Sequence, residues 1–255
     1  MPGVTSPLAT LLTPERCLLL LDPVVAAAGP ALGAGLSRWV SGVVVPPAAL
    51  AGFPGDGPLP GVRMDTGTAA LPLGRGATVS EGLDGLSRRL DALAEHGARF
   101  AYWRAVLDAE RYSGAAVHAN THALARFAGA CQEADLPALL DLRVGTTTHG
   151  IAVHEALVTN ALEKLDAELT RAGVAPANLI LVTGLVRHGT PAEVAERTVR
   201  ALGAAPRTAG IALAVDAAGR TNLRAVAERA ARYLDSSATL TFCVDDPGLA
   251  EQALA

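Results

Sequence analysis

The sequence predicts a closed parallel (β/α)8 barrel, and three observations carry that expectation. About eight short apolar segments alternate with segments of helical periodicity. Several of the apolar segments end on a carboxylate, as a buried parallel strand does when it delivers a polar side chain to one end of a sheet. At 255 residues, 50% of them hydrophobic, the chain is long enough to bury one barrel core. A single domain over residues 1–255 is therefore expected, with residues 1–15, rich in Pro, Thr and Ser, as a loose lead-in.

Cys17 to Asp22 reads as the first strand. The stretch from Val24 to Val40 contains Pro30 and holds at most a short or broken helix. Gly42 to Val45 is the second strand, stopped by Pro46 and Pro47, and Val62 to Asp65 the third. Gly67 to Ser80 reads as a glycine-bearing connection. From Glu81 a helix is expected on the stripe Leu83, Leu86, Leu90 and Leu93, ending at Gly97 and feeding a fourth strand in FAYWRAVL, where period-two alternation points Tyr102 and Arg104 the same way.

Ala115 to Ala134 is a helix with Leu124, Phe127 and Cys131 inward, and Pro137 to Leu142 the fifth strand. Val153 to Ala172 is an amphipathic helix on Leu157, Leu162, Leu165 and Leu169. Leu179 to Thr183 is the sixth strand, after which Thr190, Pro191 and Glu193 supply a helix N-cap, first residue and early acid. Ile211 to Val215, a helix from Leu223 to Leu234, and a strand from Thr239 to Val244 complete the alternation.

Composition narrows the function classes. A net charge of −4 with scattered arginines argues against nucleic acid. Cys17, Cys131 and Cys243 form an odd set without CxxC spacing, which suggests neither a disulfide framework nor a zinc site and fits a reducing cytoplasm. The N-terminus lacks a basic n-region, and its apolar run is far short of the roughly 20 residues that span a bilayer, so no membrane association is expected. The chain holds a single lysine, Lys164, placed mid-helix between Glu163 and Asp166 in an exposed charge pattern.

The segments GLDGLSRRL, HGARFAYWR, LARFAGACQ and LPALL resemble, in order and spacing, segments of the class I fructose-bisphosphate aldolase family. A weaker likeness runs from about Arg16 to Asp245. The resemblance implies a TIM barrel of the aldolase type, trimmed after the first strand and at the C-terminus. It also implies a Schiff-base lysine on the sixth strand, and that position here is Val182. Two supporting lysines of the family fall on Arg63 and Tyr102, and its paired glutamates fall near Leu140 and Leu142, where a small slip would turn Asp141 inward instead. The family's phosphate anchors on the seventh and eighth strands fall on Val215-Asp216-Ala217 and Asp245-Asp246, where carboxylates would repel a phosphate.

Asp22, Asp65 and Arg104 stand where the family also carries Asp, Asp and Arg, and these are the expected catalytic residues. Asp22 is the candidate proton-transfer group, and an inherited ion pair between Asp22 and Arg104 is the alternative. Arg63, Tyr102, Trp103, Asp141, Arg143, His188, Asp216, Cys243, Asp245 and Asp246 are the expected substrate-binding residues. Cys243 reads as a buried thiol that faces the barrel interior. His118 with His122, four apart, and His149 with His154 are weighed as metal ligands without an HExxH-type partner.

The expected function is a repurposed aldolase-type enzyme of specialised biosynthesis, a lyase, isomerase or cyclase. It acts without an imine, by acid/base or electrostatic catalysis, on a small molecule for which the acidic strand ends suggest an amine. No cofactor and no metal are called for, and a homo-oligomer is left open. The alternatives are a non-catalytic relative that binds a metabolite or protein, and a metal-assisted aldol lyase.

Overall fold

The computed structural model describes residues 6–13, 16–20, 38–53, 57–215, 228–229 and 239–245. A short helix α1 (Pro7–Leu11) precedes β1 (Cys17–Leu20), β2 (Val40–Val45) and β3 (Leu59–Arg63). A hairpin of β4 (Gly67–Ala70) and β5 (Thr78–Glu81) leads into α2 (Leu86–Glu95) and β6 (Phe100–Leu107). Then come α3 (Gly114–Glu133), β7 (Ala138–Val144), α4 (Ile151–Arg171), β8 (Leu179–Gly184), α5 (Pro191–Leu202), β9 (Gly210–Val215) and β10 (Thr239–Val244).

Eight parallel strands close in the order β1-β10-β9-β8-β7-β6-β3-β2, the architecture expected from the alternation of apolar and amphipathic segments. The strands after the hairpin begin and end within two residues of the sequence-predicted bounds. The predicted Leu223 to Leu234 helix and the stretch after Val24 lie largely outside the described residues. Among the described residues no helix is long and apolar enough to cross a membrane.

Two apolar layers form because strand side chains alternate. Leu18, Val44, Phe100, Tyr102, Leu139, Val182 and Cys243 fill the barrel. Trp103, Leu140, Leu142, Leu181 and Leu213 point outward, against Leu124 and Phe127 of α3 and Leu162 and Leu165 of α4. On α4 the buried seat beside Leu162 goes to Val158, and Leu157 is only half-buried, one place from the stripe read in the sequence.

The third strand was read as Val62 to Asp65 and is found at Leu59–Arg63, so Asp65 lies beyond its end, and two further segments differ from the sequence reading. The lead-in is not wholly loose, since α1 pushes Leu11 and Leu12 into the barrel's interior cluster. Space for them comes from glycine: a Cβ on Gly42 would lie 2.5 Å from Leu11 Cδ2 and one on Gly210 2.3 Å from Leu12 Cδ2. Amphipathicity could not announce α1, because five residues are too few to show a helical period.

The second difference is the hairpin, which replaces the expected connection and moves the helix start from Glu81 to Leu86. Gly82 separates the two elements. Its φ is +126°, and a side chain there would meet the Met64 carbonyl at 2.8 Å.

The same crowding makes a stability prediction. On β3 a Cβ at Gly61 would fall 2.1 Å from Cε2 of the fully buried Phe100 ring. Gly61→Ala is expected to destabilise the protein by about 1–3 kcal/mol through overpacking. Urea denaturation checks this, and an unchanged midpoint would show that the ring moves freely.

Candidate active site

The polar end of the barrel is built by two neighbouring strands. In β6 the alternation brings Tyr102 and Arg104 inward, and in β7 it brings Leu139, Asp141 and Arg143 inward. The register pairs Arg104 with Asp141, so the two side chains rise side by side. Asp141 therefore occupies the inward position that the one-residue slip implied, and Leu140 and Leu142 face the helices.

Asp141 is fully buried and accepts from three residues. The Tyr102 hydroxyl donates to Oδ2. Arg104 Nε donates to Oδ2 at 3.0 Å and to the Tyr102 oxygen at 2.7 Å. Arg143 approaches as a fork, Nε to Oδ1 at 2.8 Å and Nη2 to Oδ2 at 2.8 Å. Side chains of Arg104 and Arg143 keep 25% and 21% of their surface in contact with solvent, which places them at the mouth with the carboxylate beneath. Among the described residues neither Nη of Arg104 nor Nη1 of Arg143 has a protein partner.

Burial alone raises the Asp141 carboxyl, but Arg143 and then Arg104 outweigh it and hold the acid below its usual range. Burial, reinforced by the Asp141 charge, pushes the Tyr102 phenol well up. For Arg104 and Arg143 burial works against the charge, yet Asp141 holds both above the ordinary value. Cys243, in the interior as predicted, is pushed by burial up to about 12 and is a neutral thiol near neutrality. The layer thus keeps one protonation pattern through the neutral range: two cations, one anion and a neutral phenol.

A second pair closes the neighbouring strand end. Arg63 Nε and Nη2 donate to Asp65 Oδ1 at 2.9 and 2.7 Å, and Asp65 Oδ2 accepts the Arg104 backbone N–H at 3.0 Å. Asp65 is nearly buried and tied at both oxygens, while Arg63 is exposed. Asp65 thus tethers the end of β3 to β6.

Trp103 does not reach the mouth expected for it. It is fully buried on the outer side of β6, where Nε1 donates to Ser80 Oγ at 2.9 Å and the ring packs on Phe127 at 5.5 Å. Ser80 in turn donates through its backbone N–H to Asn120 Oδ1 at 3.1 Å, and Asn120 Nδ2 donates to the Thr78 carbonyl at 2.9 Å. Sequence reasoning passed over Ser80 and Asn120, although an asparagine in the middle of a long helix signals a specific partner.

The remaining candidates scatter. Asp22, Asp216 and Asp246 lie outside the described residues, and Asp245 is exposed beyond β10. His188 is exposed in the loop after β8, edge-on to the buried His154 at 6.3 Å between ring centroids. His118 and His122 both approach Glu168, each at 3.2 Å, and His149 approaches Glu110 at 3.5 Å. Among the described residues no group of three or more His, Cys, Asp or Glu side chains is placed to hold a metal ion. Val182, at the position of the family's imine-forming lysine in the resemblance, is fully buried, and Lys164 is exposed on α4.

Comparison with known proteins bears on this arrangement. A sequence model described as fructose-bisphosphate aldolase class-I matches residues 53–225. A probable fructose-bisphosphate aldolase class 1 from Xylella fastidiosa is 37% identical over 156 residues, which cover 57% of this chain and 47% of that protein. The cytosolic fructose-bisphosphate aldolase 6 of Arabidopsis thaliana is 36% identical over 155 residues, covering 57% of this chain and 43% of that one. The chain thus aligns with about half the length of the curated relatives it matches. A solved fructose-bisphosphate aldolase from Plasmodium falciparum superposes with a TM-score of 0.84 at 20% identity, over 97% of this chain and 89% of that one. Fold, barrel order and sequence together place this chain in the class I fructose-bisphosphate aldolase family.

Proposed function

We propose that this family member has given up imine chemistry and acts as a lyase, isomerase or cyclase on a small anionic metabolite of biosynthesis. The observation that carries the reading is the Arg104 and Arg143 pair, two guanidinium groups sharing one buried carboxylate at the mouth. Among the described residues of this cluster two cations and one anion leave an excess of one positive charge, and the N–H groups without a described partner are suited to a carboxylate or phosphate. The same donors stabilise negative charge that develops as a proton is removed or a carbon–carbon bond breaks.

The expected amine substrate has less behind it than this. It drew on Asp216, Asp245 and Asp246, of which only Asp245 lies among the described residues, and Asp65 and Asp141 are neutralised by arginines. Proton transfer is assigned to Asp22, because Asp65 is tied at both oxygens. The imine-free reading is supported by a lysine content of one, with that residue exposed on a helix. A single domain in the cytoplasm remains part of the proposal.

Two measurements test it. Reduction with borohydride in the presence of a triose phosphate ketone is expected to leave the intact mass unchanged, and a covalent adduct would overturn the imine-free reading. Calorimetric titration with pyrophosphate and citrate is expected to show binding that weakens tenfold or more in Arg104→Met and in Arg143→Met. Binding of spermine, unaffected by either change, would restore the amine reading.

One observation favours a non-catalytic binder as the second reading: both described interior carboxylates are engaged by guanidinium groups. Asp22→Asn separates the two, since it should abolish turnover of an identified substrate in the enzyme and leave anion binding intact in the binder.

A further inference from the structure

We infer that His154 is a protonation-sensitive latch, which holds the loop after β8 against the end of β7 and releases it under mildly acidic conditions. The latch rests on its own contacts and not on the anion-site reading above.

His154 lies in the first turn of α4 with 1% of its surface exposed, and both ring nitrogens are engaged. The Arg187 backbone N–H, in the loop after β8, points at Nδ1 from 3.1 Å. A backbone N–H can only donate, so Nδ1 must be the unprotonated acceptor. The proton of the neutral ring then sits on Nε2, which lies 3.0 Å from the Gly145 carbonyl just past β7 and donates to it. One neutral tautomer therefore ties together the loops that follow two adjacent barrel strands.

Independent packing holds the same loop. A Cβ on Gly189 would fall 2.5 Å from Ile151 Cδ1, so the loop lies flush against the first turn of α4. Between these two attachments His188 has a φ of +74°, a left-handed conformation that side-chain-bearing residues rarely adopt. The loop is thus held under backbone strain, and losing either attachment favours its release.

Protonation of Nδ1 would set two donors against each other at 3.1 Å. Burial, with smaller contributions from the His188 and Arg187 charges, lowers the pKa of the His154 ring from its ordinary 6.5. Among the described residues, the elements that meet this loop also carry Arg143, paired with Asp141 on β7, Glu155 of α4, held by Arg197 and Arg200 of α5, and Glu193, which caps α5. A lowered value in the folded protein means that the latch contributes fully above pH 6.5 and is lost as pH falls from there through the folded value.

Amide exchange at Arg187, read by NMR and corrected for intrinsic pH dependence, tests this. The wild type is expected to show about tenfold more protection near pH 7.5 than near pH 5, and His154→Phe little protection at either. Equal protection of the wild type at both pH values, or wild-type protection in the variant, would overturn the latch. Should His154→Phe fail to fold, Gly189→Ala provides the second arm. It removes the packing attachment and is expected to lower protection at both pH values while retaining the pH dependence.

Ring nitrogen shifts supply a third readout, since a proton on Nδ1 at neutral pH would also overturn the proposal. Pyrophosphate binding is followed in the same samples. If pyrophosphate fails to bind while the pH-dependent protection persists, the arginine site is refuted and the latch stands.

Discussion

Trp103→Ala is expected to lower stability by about 3–5 kcal/mol, the range for emptying a buried aromatic site. The ring is fully buried between β6 and α3, with Phe127 at 5.5 Å and Gly82 against its edge. Deleting it removes the transfer free energy of a large side chain and leaves a cavity whose walls, a strand and a helix already packed, close only in part. The loss reaches the mouth indirectly. The indole N–H anchors Ser80, whose strand β5 pairs with β4, so the variant should also loosen the hairpin. Urea denaturation followed by far-ultraviolet circular dichroism measures the cost, and Trp103→Phe, which keeps a ring there, should cost markedly less. A loss below about 1 kcal/mol for the alanine variant would contradict this position in the core.

Asp141→Asn is expected to cost about 2–4 kcal/mol, toward the lower part of the range for a broken buried ion pair because both arginines retain a solvent face. The change is nearly isosteric, so no cavity confuses the measurement. It leaves two guanidinium groups repelling each other across a neutral amide, with donors facing donors where the amide nitrogen points.

The pH dependence provides a separate signature. Because the Asp141 carboxyl is held below its ordinary value of 3.8, the folded state binds fewer protons than the unfolded state in that region. Its stabilisation is present above pH 3.8 and is lost as pH falls through the folded value. The stability difference between wild type and Asp141→Asn should therefore be constant from neutrality to about pH 4 and shrink below it. A difference that persists undiminished to about pH 2 would rule out the carboxylate as its source.

Much of the barrel was legible in the chain because strand and helix periods are local signals. Leu124, Phe127 and Cys131 recur at helical spacing and are all buried, and Thr190 is the N-cap the sequence implied, with Glu193 completing a capping box that the structure adds. The hairpin was not legible. Thr78 to Glu81 is only four residues long, and its buried Ser80 is polar, which weakens an alternation that would otherwise mark a strand.

The site was read in part. Tyr102 and Arg104 share a face because alternation within one strand requires it, and Cys243 points inward for the same reason. The same rule sends Trp103 to the opposite face from its neighbours, so its assignment to the mouth conflicted with the parity already assigned to Tyr102 and Arg104. Asp141 was ambiguous by one residue. A run of ALLDLRV has apolar residues on both faces, so period alone does not choose the inward set.

By itself, then, the sequence determined the closed alternating barrel, the interior positions of β6, and the presence of one lysine placed on a helix rather than a strand. These follow from local periodicity and from composition, which need no knowledge of neighbours. Only the tertiary structure decided the register of β7 against β6, and with it the sharing of Asp141 between Arg104 and Arg143. It also decided that strand ends which look acidic in the chain include carboxylates neutralised by arginine. A residue's charge is written in the sequence, whereas its partner is set by register and closure across strands distant in the chain.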